Sequence, residues 1–257
     1  MSFRIEASYG SEMGKVRANN EDNLFFGGVI LPQEHERCAV RSQSLALKQD
    51  QAFAVAVFDG MGGGEGGQAA SYHAAQIFRA CAKNPMGMTS MGRFLQDAVT
   101  NMNRDVADLA REANAVVGTT AVLLSILNGK CYVCNVGDSR AYLLRGDVLY
   151  LISKDHTDAE SLKKRGITGR KPRLTQYIGM PEEELTLLPF LAKGDLRGGD
   201  QFLLCSDGLT DMLSPDDIRR TMRTAATSVD CVSSLLRQAL EQGGRDNATV
   251  IHVRVQE

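Results

Sequence analysis

Six acidic residues stand where apolar runs of the chain stop or start. AFAVAVF runs into DGMGG at Asp59, and KCYVCNV runs into VGDSR with Asp138. QFLLC ends in SDGL with Asp207, GGRDN with Asp246 precedes ATVIHVRV, and RANNED with Glu21 and Asp22 precedes NLFF. One acid beside a glycine or asparagine at a strand end is ordinarily a turn former or a helix N-cap. Five such stretches are harder to explain that way. Strand ends in packed sheets converge, and converging carboxylates repel unless a cation or a proton lies between them. All of these side chains are oxygen donors, and the four histidines and six cysteines show no ligand spacing. Hard oxygen donors select Mg2+ or Mn2+ over zinc or copper. Gly60 lets the main chain come close, so its carbonyl is one more donor, and the glycines after it clear space for an ion and its waters.

Several carboxylates around two cations suit hydrolysis of a phosphate ester. Two ions about 3.5–4 Å apart bridge a hydroxide in line with phosphorus, and metal binding brings the pKa of such a water towards about 7. Arg17, in RANNED, can grip the substrate phosphate with two parallel N–H donors.

The elements that must carry these residues are mostly strands. FRIEAS, NLFFGGVIL, AFAVAVF, TTAVLLSIL, KCYVCNV, RAYLLRG, VLYLIS, QFLLCS and ATVIHVRV are β-branched, aromatic or Leu-rich and are bounded by turn residues. Asn128–Gly129 predicts a type I′ hairpin joining strands 118–127 and 130–136. Apolar residues at helical spacing predict helices over Gln68–Lys83, Ser90–Ala113 and Val229–Gln242. Consecutive strands, rather than strands alternating with helices, argue for antiparallel sheets with packed helices.

The length of 257 residues, with no repeat, low-complexity tract or linker, predicts a single domain over 1–257. A net charge of −2 gives no bulk attraction to nucleic acid. No apolar run reaches the length of a signal-peptide core or a membrane span. The scattered cysteines fit reduced thiols, so a cytoplasmic protein is expected.

Rival motifs fare poorly. Gly62-x-Gly64-x-x-Gly67 matches the dinucleotide fingerprint in form, but no acid occurs between Gln68 and Gln96 to bind a ribose. Cys134-x5-Arg140 matches the loop of cysteine-dependent phosphatases, yet it encloses Asp138, which would repel phosphate, and nothing depresses the thiol pKa. Cys131-x-x-Cys134 is half a zinc site on a strand, where residues three apart face opposite ways. His252 reads as structural, and His156 as a solvated loop residue with a weaker reading as proton donor to the leaving alkoxide.

R-x-x-N-E-D at Arg17–Asp22, DGMGG at Asp59–Gly63, GTT at Gly118–Thr120, VGDSRAYL at Val136–Leu143, SDGL at Ser206–Leu209 and RDNATV at Arg245–Val250 stand in one order. Together they resemble the type 2C protein phosphatases, the metal-dependent serine/threonine phosphatases, in their bacterial form. The resemblance implies an α+β fold: a four-layer α/β/β/α sandwich of two antiparallel sheets flanked by helices, with two Mn2+ or Mg2+ ions between the sheets. It implies that Asp59 bridges the ions, the Gly60 carbonyl and Glu21 join one, and Asp207 and Asp246 hold the other. Asp22 and Asn247 would orient metal waters, Asp138 with Asp207 would form a weaker third site, and Arg17 would hold the substrate phosphate. Attack would be direct, without a phosphoenzyme. Phosphorylated proteins, targets of a serine/threonine kinase, are the implied partners of a monomeric enzyme.

Two departures stand out. Gly64 and Gln68 occupy places where bacterial relatives usually have His and Glu, though neither is a metal ligand. The segment 155–179 resembles the family's mobile flap but lacks its His-Pro-x-Arg-Asn stretch, so substrate choice does not carry over. Residues 29–51, between NLFF and AFAVAVF, are longer and more polar than expected and read as a surface hairpin or loop, with a partner-docking element as the alternative. A binding module that had kept only the fold should have lost acids, yet Glu21, Asp59, Asp207 and Asp246 are all present. Arg17 argues for the general phosphoprotein branch over the branch acting on sigma-factor regulators.

Overall fold

The computed structural model describes residues 3–48, 50–62, 65–83, 90–181 and 186–256. Two antiparallel sheets lie face to face. The first runs β10 (Val148–Leu151), β9 (Arg140–Arg145), β12 (Gln201–Cys205), β13 (Ala248–Gln256), β1 (Arg4–Glu12) and β4 (Arg37–Ala46). The second runs β11 (Phe190–Asp195), β8 (Lys130–Val136), β7 (Ala121–Leu127), β5 (Phe53–Gly62), β2 (Asp22–Phe26) and β3 (Val29–Ile30), with β6 (Val117–Thr119) pairing the end of β5.

Period-two alternation sorts the side chains. In β5, Val55 and Val57 enter the core between the sheets with Leu124, Phe202 and Ile251, while Ala56 and Phe58 turn outwards. Helices α1 (Gly66–Ala82) and α2 (Met91–Ala113) cover that outer face, where Phe78 meets Phe25 edge to face with ring centroids 5.1 Å apart. Helices α5 (Pro215–Thr224) and α6 (Ser228–Glu241) cover the other sheet through Ile218, Met222, Val232 and Leu235. Two short helices, α3 (Ala159–Lys164) and α4 (Asp207–Thr210), lie in connections. This is the four-layer sandwich expected.

Local chemistry sets the boundaries. Asn128 and Gly129 both have positive φ, 51° and 70°, as a type I′ turn requires, and β7 pairs β8 from Ala121↔Val136 to Leu127↔Lys130. The Ser90 hydroxyl accepts the Arg93 N–H to start α2, and Asn114 ends it in the left-handed region. Residues 29–51 are more ordered than a loop: β4 adds a ten-residue edge strand to β1. Its apolar face is thin, with only Cys38, Val40 and Leu45 packed and partly buried, so the alternation was too weak to read. Helix α5 was likewise not expected, because its body RRTMRT is polar, although Ser214 and Asp217 cap it reciprocally and Pro215 opens it.

Candidate metal centre

The sheet pairing delivers the acids to one end of the sandwich. β2 and β5 pair so that Asp22 stands directly opposite Asp59. From the other sheet, β12 ends at Cys205, and Ser206 donates its hydroxyl to Asp22 Oδ2 at 2.7 Å while accepting the Thr249 N–H at 2.9 Å. One hydroxyl thus pins the two sheets together beside the acids. The connection before β2 is held by Asn247. Its Oδ1 accepts the Glu21 N–H at 2.8 Å, and its Nδ2 donates to the carbonyls of Met13 and Asn19 at 2.8 and 2.9 Å. The Asn247 amide commits both of its donors to the main chain and fixes the loop that bears Arg17 and Glu21.

Asp59 is fixed through its backbone. Thr120 Oγ1 accepts the Asp59 N–H at 3.1 Å, and Thr119 Oγ1 and the Thr120 N–H both donate to the Asp59 carbonyl. Thr120 Oγ1 also bonds Ser139 Oγ at 2.7 Å, which links Asp59 to the turn carrying Asp138. None of these three hydroxyls was assigned a role from sequence, although GTT and GDSR contain them. Gly60 answers to packing more than to open space. A Cβ there would lie 2.1 Å from the Gly67 carbonyl oxygen and 2.5 Å from that of Glu21, so the main chains are already in contact. Gly208 is similarly required, since its Cβ would meet the Asn247 carbonyl oxygen at 1.9 Å.

Asp22 is buried, whereas Glu21, Asp59, Asp138, Asp207 and Asp246 keep partly accessible surfaces. Burial pushes Asp22 up to about 7 against the lowering bond from Ser206. Burial, and then the charges of Asp207, Asp22, Asp138 and Asp246, hold Asp59 well above the carboxylate range. Burial and Asp207 push Asp138 up to about 7. Burial raises Asp207 more than Lys171 lowers it, and burial also raises Glu21. These carboxylates are destabilised when charged, the condition that a bound cation relieves.

Among the described residues, two side-chain cations reach the acids. Arg17 pairs with Asp246 at 2.7 Å, and Lys171 bonds Asp207 at 2.7 Å and Asp211 at 2.8 Å. Lys171, which the sequence did not single out, beside Asp138 and Asp207 lines a cavity of about 140 Å³. A mostly apolar cavity of about 290 Å³ lies beside Phe25, Phe53 and Phe94 at the other end of β5 and has no acid in its lining. Among the described residues, no three His, Cys, Asp or Glu side chains close into a ready ligand cage. The donor set nonetheless fits divalent cations. It is all oxygen, its members repel one another, and Asp22 Oδ1 is buried without a hydrogen-bond partner among the described residues.

The rival motifs end elsewhere. Burial pushes the Cys134 thiol up to about 12, which removes it as a nucleophile, and all six cysteines are unpaired. His156 Nδ1 accepts the Gly137 N–H at 3.2 Å, so this ring is half-buried and anchored rather than solvated. His252 is buried in β13, as a structural residue should be. Gly64 of the dinucleotide-like triplet lies outside the described residues.

The family model of protein phosphatase 2C matches residues 9–179, and Asp207 and Asp246 lie beyond that match. The serine/threonine phosphatase stp of Listeria innocua is 27% identical, over 97% of this chain and 95% of its own length. The serine/threonine protein phosphatase PstP of Mycobacterium tuberculosis is 30% identical over 94% of this chain, which spans 43% of that protein. A crystal structure of the PstP catalytic domain in complex with two manganese ions superposes with a TM-score of 0.79 at 26% identity, covering 99% of this chain and 100% of that one.

Proposed function

The chain belongs to the protein phosphatase 2C family, and on that premise we propose that it hydrolyses phosphoserine and phosphothreonine in proteins with two divalent cations, Mn2+ or Mg2+. Residues 1–257 act as one domain. Asp59 would hold both ions, Glu21 and the Gly60 carbonyl one, Asp207 and Asp246 the other, and Asp138 with Asp207 a weaker third. Bound there, such ions would supply an acidified water for direct attack, without a phosphoenzyme, and charge neutralisation for the phosphoryl oxygens. The single observation that supports this best is the meeting of the two sheets. Asp22 and Asp59 face each other in register on one, while Ser206-Asp207 and Asp246-Asn247 approach from the other through the 2.7 Å Ser206–Asp22 bond.

The chain's own residues then have distinct tasks. Asn247 sets the loop so that Arg17 stands beside the acids, where its guanidinium can exchange Asp246 for a substrate phosphate. Ser206 and Asp22 keep a polar, partly unpaired floor where water is oriented. The partners on this reading are phosphoproteins made by a serine/threonine kinase, met by a monomer in the cytoplasm. The six unpaired thiols support a reducing compartment, and among the described residues no helix is long and apolar enough to cross a membrane.

The test is hydrolysis of a phosphothreonine peptide by metal-stripped protein, with and without added Mn2+, beside a thiol-alkylated sample. Activity restored by Mn2+ and indifferent to alkylation is expected. Activity that ignores metal and dies on alkylation would overturn the reading in favour of a cysteine nucleophile.

A further inference from the structure

Residues 29–51 contain β4, the strand at one end of the first sheet. It pairs β1 from Glu12↔Arg37 to Arg4↔Ala46, and among the described residues no strand pairs its other side. Ten residues make it about twice the usual strand length, about 33 Å. The register shifts once, opposite Tyr9–Ser11, and Arg41–Ala46 then pair without a break. An edge of this kind presents a row of unpaired N–H and C=O groups, the template on which another extended chain adds.

The strand begins at the end of the sandwich that holds the acids. Asn20, buried in the loop before β2, donates from Nδ2 to the Glu36 carbonyl at 3.1 Å and to Ser11 Oγ at 3.0 Å. Its Oδ1 accepts the Asp22 N–H at 3.2 Å. One amide thus ties the entry of β4 to the loop that carries Arg17, Glu21 and Asp22. On the far side of β1, Glu12 stands opposite Ala248, close in sequence to Asp246.

Charge narrows the choice of occupant. Arg37 and Arg41 are the charged side chains of β4; both are exposed, and among the described residues neither makes a side-chain hydrogen bond or an ion pair. Lys48, just beyond the strand, is exposed as well. A second β4 would bring four arginines to one seam with no acid on either strand, so another copy of this chain is a poor partner. An acidic segment is the complementary one.

We propose that the β4 edge is a substrate-docking surface, on which an extended acidic segment of a phosphoprotein adds as a further strand while its phosphorylated residue reaches the acids. The inference rests on the phosphatase reading of the centre. Addition antiparallel to β4, as β4 adds to β1 and β1 to β13, runs towards Arg37, so the docking segment lies N-terminal to the phosphorylated residue. The added strand stands three strand spacings from β13, about 14 Å, which about five extended residues span. Main-chain bonds supply the affinity, and the two arginines supply the preference for acid.

The experiment uses the full chain and two probes. The first is an unphosphorylated ten-residue peptide alternating Glu with Val, followed without Mn2+ by fluorescence anisotropy and by amide hydrogen exchange of β4, beside a Lys–Val control. The second joins the Glu–Val segment through five residues to a phosphothreonine, and is compared, with Mn2+, to the same phosphothreonine sequence without the segment. The Glu peptide should bind, the Lys peptide should not, and exchange over 37–46 should slow. Arg37→Glu with Arg41→Glu should weaken that binding about tenfold, the scale of two exposed ion pairs. In wild type the joined substrate should have a KM at least about threefold below the short one at equal kcat. In the variant that advantage should vanish, while an unchanged kcat and KM on the short substrate shows that the protein is folded. Equal binding by the variant, or binding that leaves β4 exchange unchanged, would overturn the docking surface. So would protection of β4 that grows with protein concentration alone, which gives the edge to a second copy. If the Glu peptide does not bind and the short substrate is hydrolysed, docking alone fails. If it binds and neither substrate is hydrolysed at any Mn2+ concentration, the phosphatase reading fails, and substrate docking with it.

Discussion

The first sheet contributes to two buried polar clusters that differ in one respect. At mid-sheet, His252 is fully buried, yet both ring nitrogens have partners, Ser228 Oγ at 3.1 Å and Gln201 Oε1 at 3.0 Å. At the end of the sheet, Ser206 reaches across to Asp22, which is 1% exposed, and Asp22 Oδ1 has no hydrogen-bond partner among the described residues. Burial is equal, so burial does not separate structure from function here. Completeness does. A closed polar cluster stabilises and asks for nothing further, whereas a buried carboxylate with a free oxygen, beside other acids, is stable only if something else completes it.

The strongest way to break this contrast is to neutralise the incomplete cluster. Asp59→Asn should cut kcat/KM by more than about 100-fold, the upper end of what losing a supporting group around a metal costs. Because Asp59 sits among repelling acids, the metal-free variant should melt no lower than wild type. A peptide assay at saturating Mn2+ and a thermal melt in chelator check both halves. An active Asp59→Asn protein would erase the distinction between the two clusters.

The complete cluster should reveal itself through pH instead. Burial, with a smaller contribution from Arg254, lowers His252 to about 3, below the ordinary value near 6.5. The unfolded chain therefore binds the extra proton first. The stability is whole above about pH 6.5 and is lost as pH falls towards about 3. At pH 5 the loss amounts to about 2 kcal/mol at 1.36 kcal/mol per pH unit. Asp22 acts in the opposite sense in metal-free protein. Its folded pKa near 7 lies above the unfolded value, so its penalty grows as pH rises from about 4 to about 7. The difference between wild type and His252→Gln, by urea unfolding at pH 7.5 and 5, isolates the histidine: the wild type should lose about 2 kcal/mol more. Activity at pH 7.5 should stay within about twofold. Equal losses would mean that the His252 ring takes up its proton without disturbing the fold.

How much of this was legible in the sequence depended on range. Asp59, Asp138, Asp207 and Asp246 announced themselves because an acid beside glycine or asparagine at the edge of an apolar run is a local pattern. The sheets were legible for the same reason, through alternation and the Asn128–Gly129 turn. Lys171 meets Asp207 from 36 residues away, and no local spacing records that contact. The same holds for Asn247, whose partners lie in the 13–21 loop, and for the Thr120–Ser139 bond. Gly60 was found for an incomplete reason: its neighbour across the gap is backbone, Gly67 and Glu21, which only the folded chain brings near. Strand β4 was missed because an edge strand with few buried side chains is nearly as polar as a loop.

The mildest expected effect sharpens what the incomplete cluster is for. Arg17 is nearly half exposed and carries no part of the fold beyond its bond to Asp246. Its exposure suits a group that receives the phosphate before and during reaction alike, and uniform binding of that kind sets KM rather than kcat. Arg17→Ala should raise KM for a phosphothreonine peptide about tenfold, about 1.4 kcal/mol, with kcat nearly unchanged. The same change releases Asp246 from its ion pair with that guanidinium, so the Mn2+ requirement should not rise. A steady-state series at several Mn2+ concentrations separates the two. If kcat falls while KM holds, Arg17 acts on the transition state, and the line between the group that grips substrate and the acids that hold metal must be redrawn.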